Sequence, residues 1–130
     1  MFKTYLFASL LIFSGASVSH ADKFVTTPKP PYYAVIFSIQ MSDKDTGAFR
    51  IAEKRMLEIA SQNPGFVGVE GLADNEGFSL FIAYWKDLES MKAFKLDKEH
   101  MVAREKGRTV WFKKHVIRVA KIIKEYGGET

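Results

Sequence analysis

The sequence predicts an α+β fold: a ferredoxin-like βαββαβ antiparallel sheet with its helices on one face. Three observations predict it. Hydrophobic periodicity switches between two and about 3.6 in the order strand, helix, strand, strand, helix, strand. Asp74-Asn75-Glu76-Gly77 joins the two middle strands with residues suited to a tight hairpin. The remaining connections are short, as this topology requires.

Each element has its own signal. Tyr32 to Met41 alternates Tyr33, Val35, Phe37, Ile39 and Met41 with Tyr32, Ala34, Ile36, Ser38 and Gln40, a strand apolar on both faces. From Thr46 the period lengthens. Phe49, Ala52, Met56 and Ile59/Ala60 share one helical face, with Arg50, Glu53, Lys54 and Glu58 mostly off it. Asn63-Pro64-Gly65 stops this helix, because proline cannot continue the hydrogen-bond ladder. Phe66 to Leu72 and Phe78 to Trp85 are the hairpin strands. Asp87 caps a helix start, with Leu88, Met91 and Phe94 on its apolar face. A second helical piece is expected from Asp97 to Lys113, bending near Gly107, and the β-branched run His115 to Lys124 closes the sheet.

This arrangement leaves the helix-free face with Tyr32, Ala34, Ile36 and alternate residues of Phe78 to Trp85 in water. Exposed apolar areas of that kind mark interfaces. A second copy stacked face to face, closing a dimeric α/β barrel, is the expected solution.

Of the 130 residues, 47% are apolar, enough for one core. Residues 1–21 read as a secretory signal peptide: Lys3 near the start, an apolar run from Tyr5 to Phe13, and Ser19-His20-Ala21 before the cut. The run is shorter than the roughly 20 residues needed to span a bilayer, so no stable membrane anchor is expected after processing, and a periplasmic location is expected. Residues 22–31 form a flexible Pro-rich leader, 32–126 the domain and 127–130 a tail. Cleavage leaves 18 basic against 15 acidic side chains, interleaved along the chain, a pattern that argues against nucleic-acid binding. The absence of cysteine excludes thiol catalysis and Cys-based metal centres, and the domain must hold by packing.

Tyr33-Ala34-Val35-Ile36-Phe37, Pro64 through Glu70 (PGFVGVE), Tyr84-Trp85, Glu99-His100, Ala103, Gly107, Trp111, Arg118 and Tyr126 together give the chain a family resemblance. From Tyr32 to Tyr126 it resembles the antibiotic biosynthesis monooxygenase (ABM) domain family of the dimeric α/β-barrel superfamily. The resemblance implies a homodimer with a pocket between sheet and helices for a small hydrophobic, aromatic or quinonoid molecule. It also implies oxygenation of electron-rich phenols without metal or flavin, hence no cofactor. Haem-degrading relatives use a helical histidine as iron ligand with a pocket tryptophan and asparagine. Here the position six residues before His100 is Phe94, and the first strand carries Gln40, so the chain departs from that pattern.

His100, Arg104, Gly107/Arg108 and Trp111 recur at i, i+4, i+7/8 and i+11, so an unbroken helix would carry them on one side. As a pocket wall, His100 would move a proton while Arg104 and Trp111 hold a flat ligand. As a solvated helix, His100 would merely pair with a carboxylate and Trp111 pack. Trp85 and Phe94 are either aromatic pocket lining or core. Arg118, inside an apolar strand, either stabilises developing negative charge in the pocket or pairs with Glu70 or Glu99. The catalytic candidates are therefore His100 and Arg118, and the ligand-binding candidates Trp85, Trp111, Arg104 and Phe94, with no metal set. A non-catalytic dimeric binding or stress-response module and a haem-binding protein are the alternative functions.

Overall fold

A computed structural model describes residues 23–130. The signal peptide expected from the sequence lies outside the described residues. The alternating run Tyr32–Met41 forms strand β1, after which come helix α1 (Thr46–Ser61), β2 (Phe66–Ala73), β3 (Phe78–Trp85), α2 (Leu88–Lys95), α3 (Lys98–Lys106) and β4 (Phe112–Ile122). The four strands pair in the order β2-β3-β1-β4, every neighbour antiparallel, which is the expected ferredoxin-like sheet.

Local chemistry sets the boundaries. Asp74 Oδ1 accepts from the Glu76 and Phe78 amides, and Gly77 takes φ 91°, a left-handed value glycine adopts without a Cβ clash, so the β2–β3 turn closes tightly. Asp87 and Asp97 each accept a backbone N–H at a helix start, from Ser90 and His100 respectively, so two short helices replace one continuous one. At the end of α1, Asn63 Oδ1 accepts from the Gly65 amide while its Nδ2 donates to the Ser90 carbonyl, tying α1 to α2.

The helical stretch expected to reach Lys113 ends sooner. Gly107–Trp111 winds into a π segment, with the Phe112 N–H donating to the Gly107 carbonyl, and Phe112 is already extended at φ −105°. β4 thus begins three residues before His115. The early start is held by Phe112 itself, whose ring packs edge-on against Phe37 at 5.8 Å and Phe49 at 5.7 Å.

Register separates the faces. Tyr33 stands opposite Trp85, Val35 opposite Ala83 and Phe37 opposite Phe81, so these side chains share one side. That side carries the helices, since Phe37 shares Phe112 with Phe49 of α1, and Trp85 meets Phe94 of α2 at 5.4 Å. Ile36, opposite Ile82 and Arg118, looks the other way. On that helix-free side Leu72 is 74% exposed, and Phe78, Leu80 and Val116 are also open to solvent. The sheet therefore presents part of the apolar face that its alternation predicts, whereas Tyr32 and Ala34, expected in water, are buried at 4% and 2% exposure.

One end of this face is covered by the chain's own leader. The Val25 N–H donates to Glu70 Oε2 at 3.0 Å, and a Cβ on Gly68 would lie 2.8 Å from the Val25 side chain. Thr27 Oγ1 and the Tyr32 hydroxyl both donate to Glu125, and Tyr84 donates to Glu70. Residues expected to stand clear as a linker instead lie against β2 and the end of β4.

Gly65 is buried where a Cβ would come within 2.2 Å of Ser90 Cβ. Gly65→Ala must push α2 away from the β2 entrance. Thermal denaturation is expected to show a loss of about 1–3 kcal/mol, in the range of other overpacking substitutions.

Candidate functional site

The helix side of the sheet is built from aromatic rings in two groups. In the first, Phe66 and Phe94 flank the buried Trp85 at 5.2 and 5.4 Å, and Phe94 stacks on the His100 ring at 4.1 Å with 22° between planes. In the second, Phe37 contacts Phe81, Phe112 and His115, while Phe49 reaches Trp111 at 5.4 Å. A cleft of about 240 Å³ opens beside the first group, lined by Ile59, Gln62, Asn63, Ala93, Phe94 and Asp97.

His100 stacks on the cleft-lining Phe94 and is the imidazole nearest this cleft. Its Nδ1 lies 3.0 Å from the Phe94 carbonyl oxygen, which can only accept, so Nδ1 carries the hydrogen and the neutral ring keeps Nε2 as an acceptor. Burial pushes the His100 pKa below its usual value, outweighing the opposing effect of the bond to Phe94. The ring is therefore neutral at pH 7, the state a proton acceptor needs. It does not pair with the neighbouring carboxylate, because Glu99 turns outward to a bidentate ion pair with Arg55 at 2.7 and 3.0 Å.

The expected single helical face holds from His100 to Arg104 within α3 and is broken beyond it by the π segment. Arg104 is exposed on the outer surface of α3, and Arg108 is exposed and bonded to Glu105. Trp111 turns inward to 5% exposure. Its orientation is fixed from the β1–α1 loop, where the Ser42 N–H and Oγ donate to the Trp111 and Val110 carbonyls, both at 2.7 Å. Lys106 lies 5.8 Å over the indole.

Arg118 lies on the far side of the sheet. It stands opposite Ile36, on the face away from His100, Trp85, Phe94 and Trp111, and it is exposed. The suggested partners are engaged elsewhere: Glu70 takes Tyr84 and Val25, and Glu99 takes Arg55. A pocket shared by His100 and Arg118 is therefore ruled out by strand alternation. The structure brings together Trp85, Phe94 and His100, leaves Trp111 in the second aromatic group, keeps the exposed Arg104 one turn from His100, where its charge helps to lower the His100 pKa, and puts Arg118 on the other side of the sheet.

Sequence reasoning missed Glu53. The inward side of α1 runs Phe49, Glu53, Met56, Ala60, at i, i+4, i+7 and i+11, and this spacing was the signal. A face drawn through Ala52 puts Glu53 off it. Glu53 Oε1 is buried without a hydrogen-bond partner, as is Trp111 Nε1. Burial pushes the Glu53 carboxyl up to about 9 against the weaker opposing effect of Arg50, so it is an uncharged acid at neutral pH. Among the described residues no three His, Asp or Glu side chains cluster as a metal set.

No family model matches the chain. The YqjZ protein of Bacillus subtilis, which is uncharacterized, is 43% identical over 101 residues, covering 78% of this chain and 88% of YqjZ. Among solved structures, Rv0793 of Mycobacterium tuberculosis superposes with a TM-score of 0.64 at 11% identity, over 74% of this chain and 99% of that one. A Nitrosomonas europaea protein bearing the antibiotic biosynthesis monooxygenase name gives 0.63 at 17% identity, over 78% and 100%. SnoaB, a cofactor-independent oxygenase of Streptomyces nogalater, gives 0.61 at 12% identity, over 72% and 95%.

Glu53 titrates near 9 when folded and near 4.5 when unfolded, so folding takes up a proton between those values. Its contribution to stability is full below about pH 4.5 and is lost as pH rises toward 9. Glu53→Gln, uncharged throughout, is expected to flatten that decline. Urea denaturation of both chains at intervals across this range measures it.

Proposed function

The chain belongs to the family of Bacillus subtilis YqjZ and has the fold of the antibiotic biosynthesis monooxygenases, and from that premise we propose that it is an exported homodimer that takes up a small aromatic or quinonoid compound and oxygenates it without a cofactor. The observation that carries this reading is His100: a neutral imidazole stacked on Phe94 beside the helix-side cleft, its Nδ1 tied and its Nε2 left as the acceptor. A ring so held accepts a proton from a phenolic or benzylic position, and Phe94, backed by the buried Trp85, offers an aromatic surface to the rest of the ligand. The electrons come from the substrate. A ring methylene deprotonated at His100 reduces molecular oxygen, one oxygen atom ending in the new carbonyl and the other in water.

The cleft, at about 240 Å³, is below the roughly 300–1,000 Å³ of most ligand pockets. The position of Arg118 favours a second reading, a binding module without turnover, because it takes away from the helix side the cation expected to balance a developing oxyanion. Oxygen consumption with naphthols, anthrones and benzoquinols separates the two. Turnover that falls at least tenfold in His100→Ala supports the oxygenase, and uptake equal to that variant's leaves only binding.

The dimer rests on the exposed Leu72, Phe78, Leu80 and Val116 of the helix-free face, an apolar strip that a second sheet would cover. Arg118 then belongs to the contact between copies. Light scattering after size exclusion is expected to give twice the chain mass, and Leu80→Asp to give the monomer. Native mass spectrometry of the periplasmic fraction reads export at the same time, as a chain shortened by its first 21 residues.

A further inference from the structure

Two polar atoms in the helix-side interior play no part in the chemistry at His100: one oxygen of the Glu53 carboxyl and the indole nitrogen of Trp111. Each is shielded from solvent and each lacks a hydrogen-bond partner. Buried polar groups in folded proteins are almost always paired, so two orphans on facing elements need a reason. They are close in the fold. Phe49, one turn before Glu53 on the inward stripe of α1, packs edge-on against the Trp111 ring at 5.4 Å.

We propose that the Glu53 carboxyl and the Trp111 indole N–H form a recognition site for an uncharged oxygen function, a phenolic hydroxyl or quinone carbonyl, on a small aromatic ligand. The chemistry of the two groups is complementary to such an oxygen. The indole nitrogen only donates, whereas a carboxylic acid both donates and accepts. A hydroxyl can accept from Trp111 while donating to Glu53, and a carbonyl can accept from both. The two groups do not satisfy each other, which leaves both available to one guest atom.

The surroundings favour an uncharged ligand. Burial holds the Glu53 carboxyl neutral, and the Lys106 ammonium, 5.8 Å over the Trp111 ring, is already paired with Asp45 at the surface, so an ionised guest would give up its hydration for little in return. The aromatic walls are already present in Phe37, Phe49 and Phe112. Most small-molecule sites have this composition, mainly apolar with a few convergent polar groups. The site rests on the proposal that the protein binds aromatic compounds, and it adds the residues that would select among them.

Titration of the full mature chain with 2-naphthol and with naphthalene, monitored by tryptophan fluorescence, tests it. The wild type is expected to hold 2-naphthol about tenfold more tightly than naphthalene, the ratio one buried hydrogen bond supplies. Glu53→Leu and Trp111→Phe should each bring 2-naphthol down to the naphthalene level without weakening naphthalene. Glu53→Gln, which still donates and accepts, should stay within about threefold of wild type. Removing an unpartnered acid leaves Glu53→Leu folded, and Trp111→Phe reads the same loss independently. Equal affinity of the wild type for both compounds, or undiminished 2-naphthol binding by both Glu53→Leu and Trp111→Phe, overturns the recognition site and leaves aromatic binding standing. Failure of both compounds to bind overturns the recognition site and aromatic binding together.

Discussion

The packing of Phe49 against Trp111 and Phe112 is the contact on which the helix side of the protein depends. It joins the first helix, the π segment and the start of the last strand at one point. Once Phe49 is seated there, the helical repeat dictates the rest of the inward stripe: Glu53 must turn inward, then Met56, then Ala60. Phe112 can reach Phe49 only because Gly107 has no Cβ, since one would lie 2.5 Å from the Phe112 ring. The glycine, the π turn and the aromatic contact are thus one arrangement rather than three.

The sheet keeps two kinds of polarity apart. On the helix side the titratable groups are few, desolvated and uncharged, as His100 and Glu53 illustrate. On the helix-free side they form hydrogen-bonded sets, Tyr84 with Glu70 and Tyr32 with Glu125, in which burial and the neighbouring carboxylate both raise the tyrosine pKa. The neutral acid and the neutral imidazole therefore both lie on the first side. Structural bonding, including the docking of the leader, belongs to the second. Charge on the outer helix surfaces contributes little to either: Arg55 with Glu58 and Glu99, and Arg108 with Glu105, are solvated pairs of modest strength.

Most of the architecture was legible because its signals are local. Alternation in Tyr32–Met41, the Asn63-Pro64-Gly65 stop and the Asp87 cap each report on a few neighbouring residues, and each lies where the sequence puts it. The site was less legible because it depends on angles that accumulate along a helix. Counting from His100 at 3.6 residues per turn aligns Arg104 and Trp111, and a single π segment between them undoes the count for Trp111. Glu53 was missed for a related reason, since a stripe drawn through Ala52 or through Glu53 differs by one residue. The ABM resemblance pointed to the fold shared with SnoaB. Arg118 was expected in the pocket because it interrupts an apolar strand, and that signal does not say which face the side chain takes.

The π segment bears on how related chains can diverge. A π turn holds one more residue than an α turn, so its presence is a matter of chain length as much as of side-chain identity. Deleting one residue between Gly107 and Trp111 would restore α-helical spacing and swing the indole away from Phe49, without altering a single strand. Lengthening and shortening at that point is thus a route by which evolution can repack the interior while the sheet stays as it was.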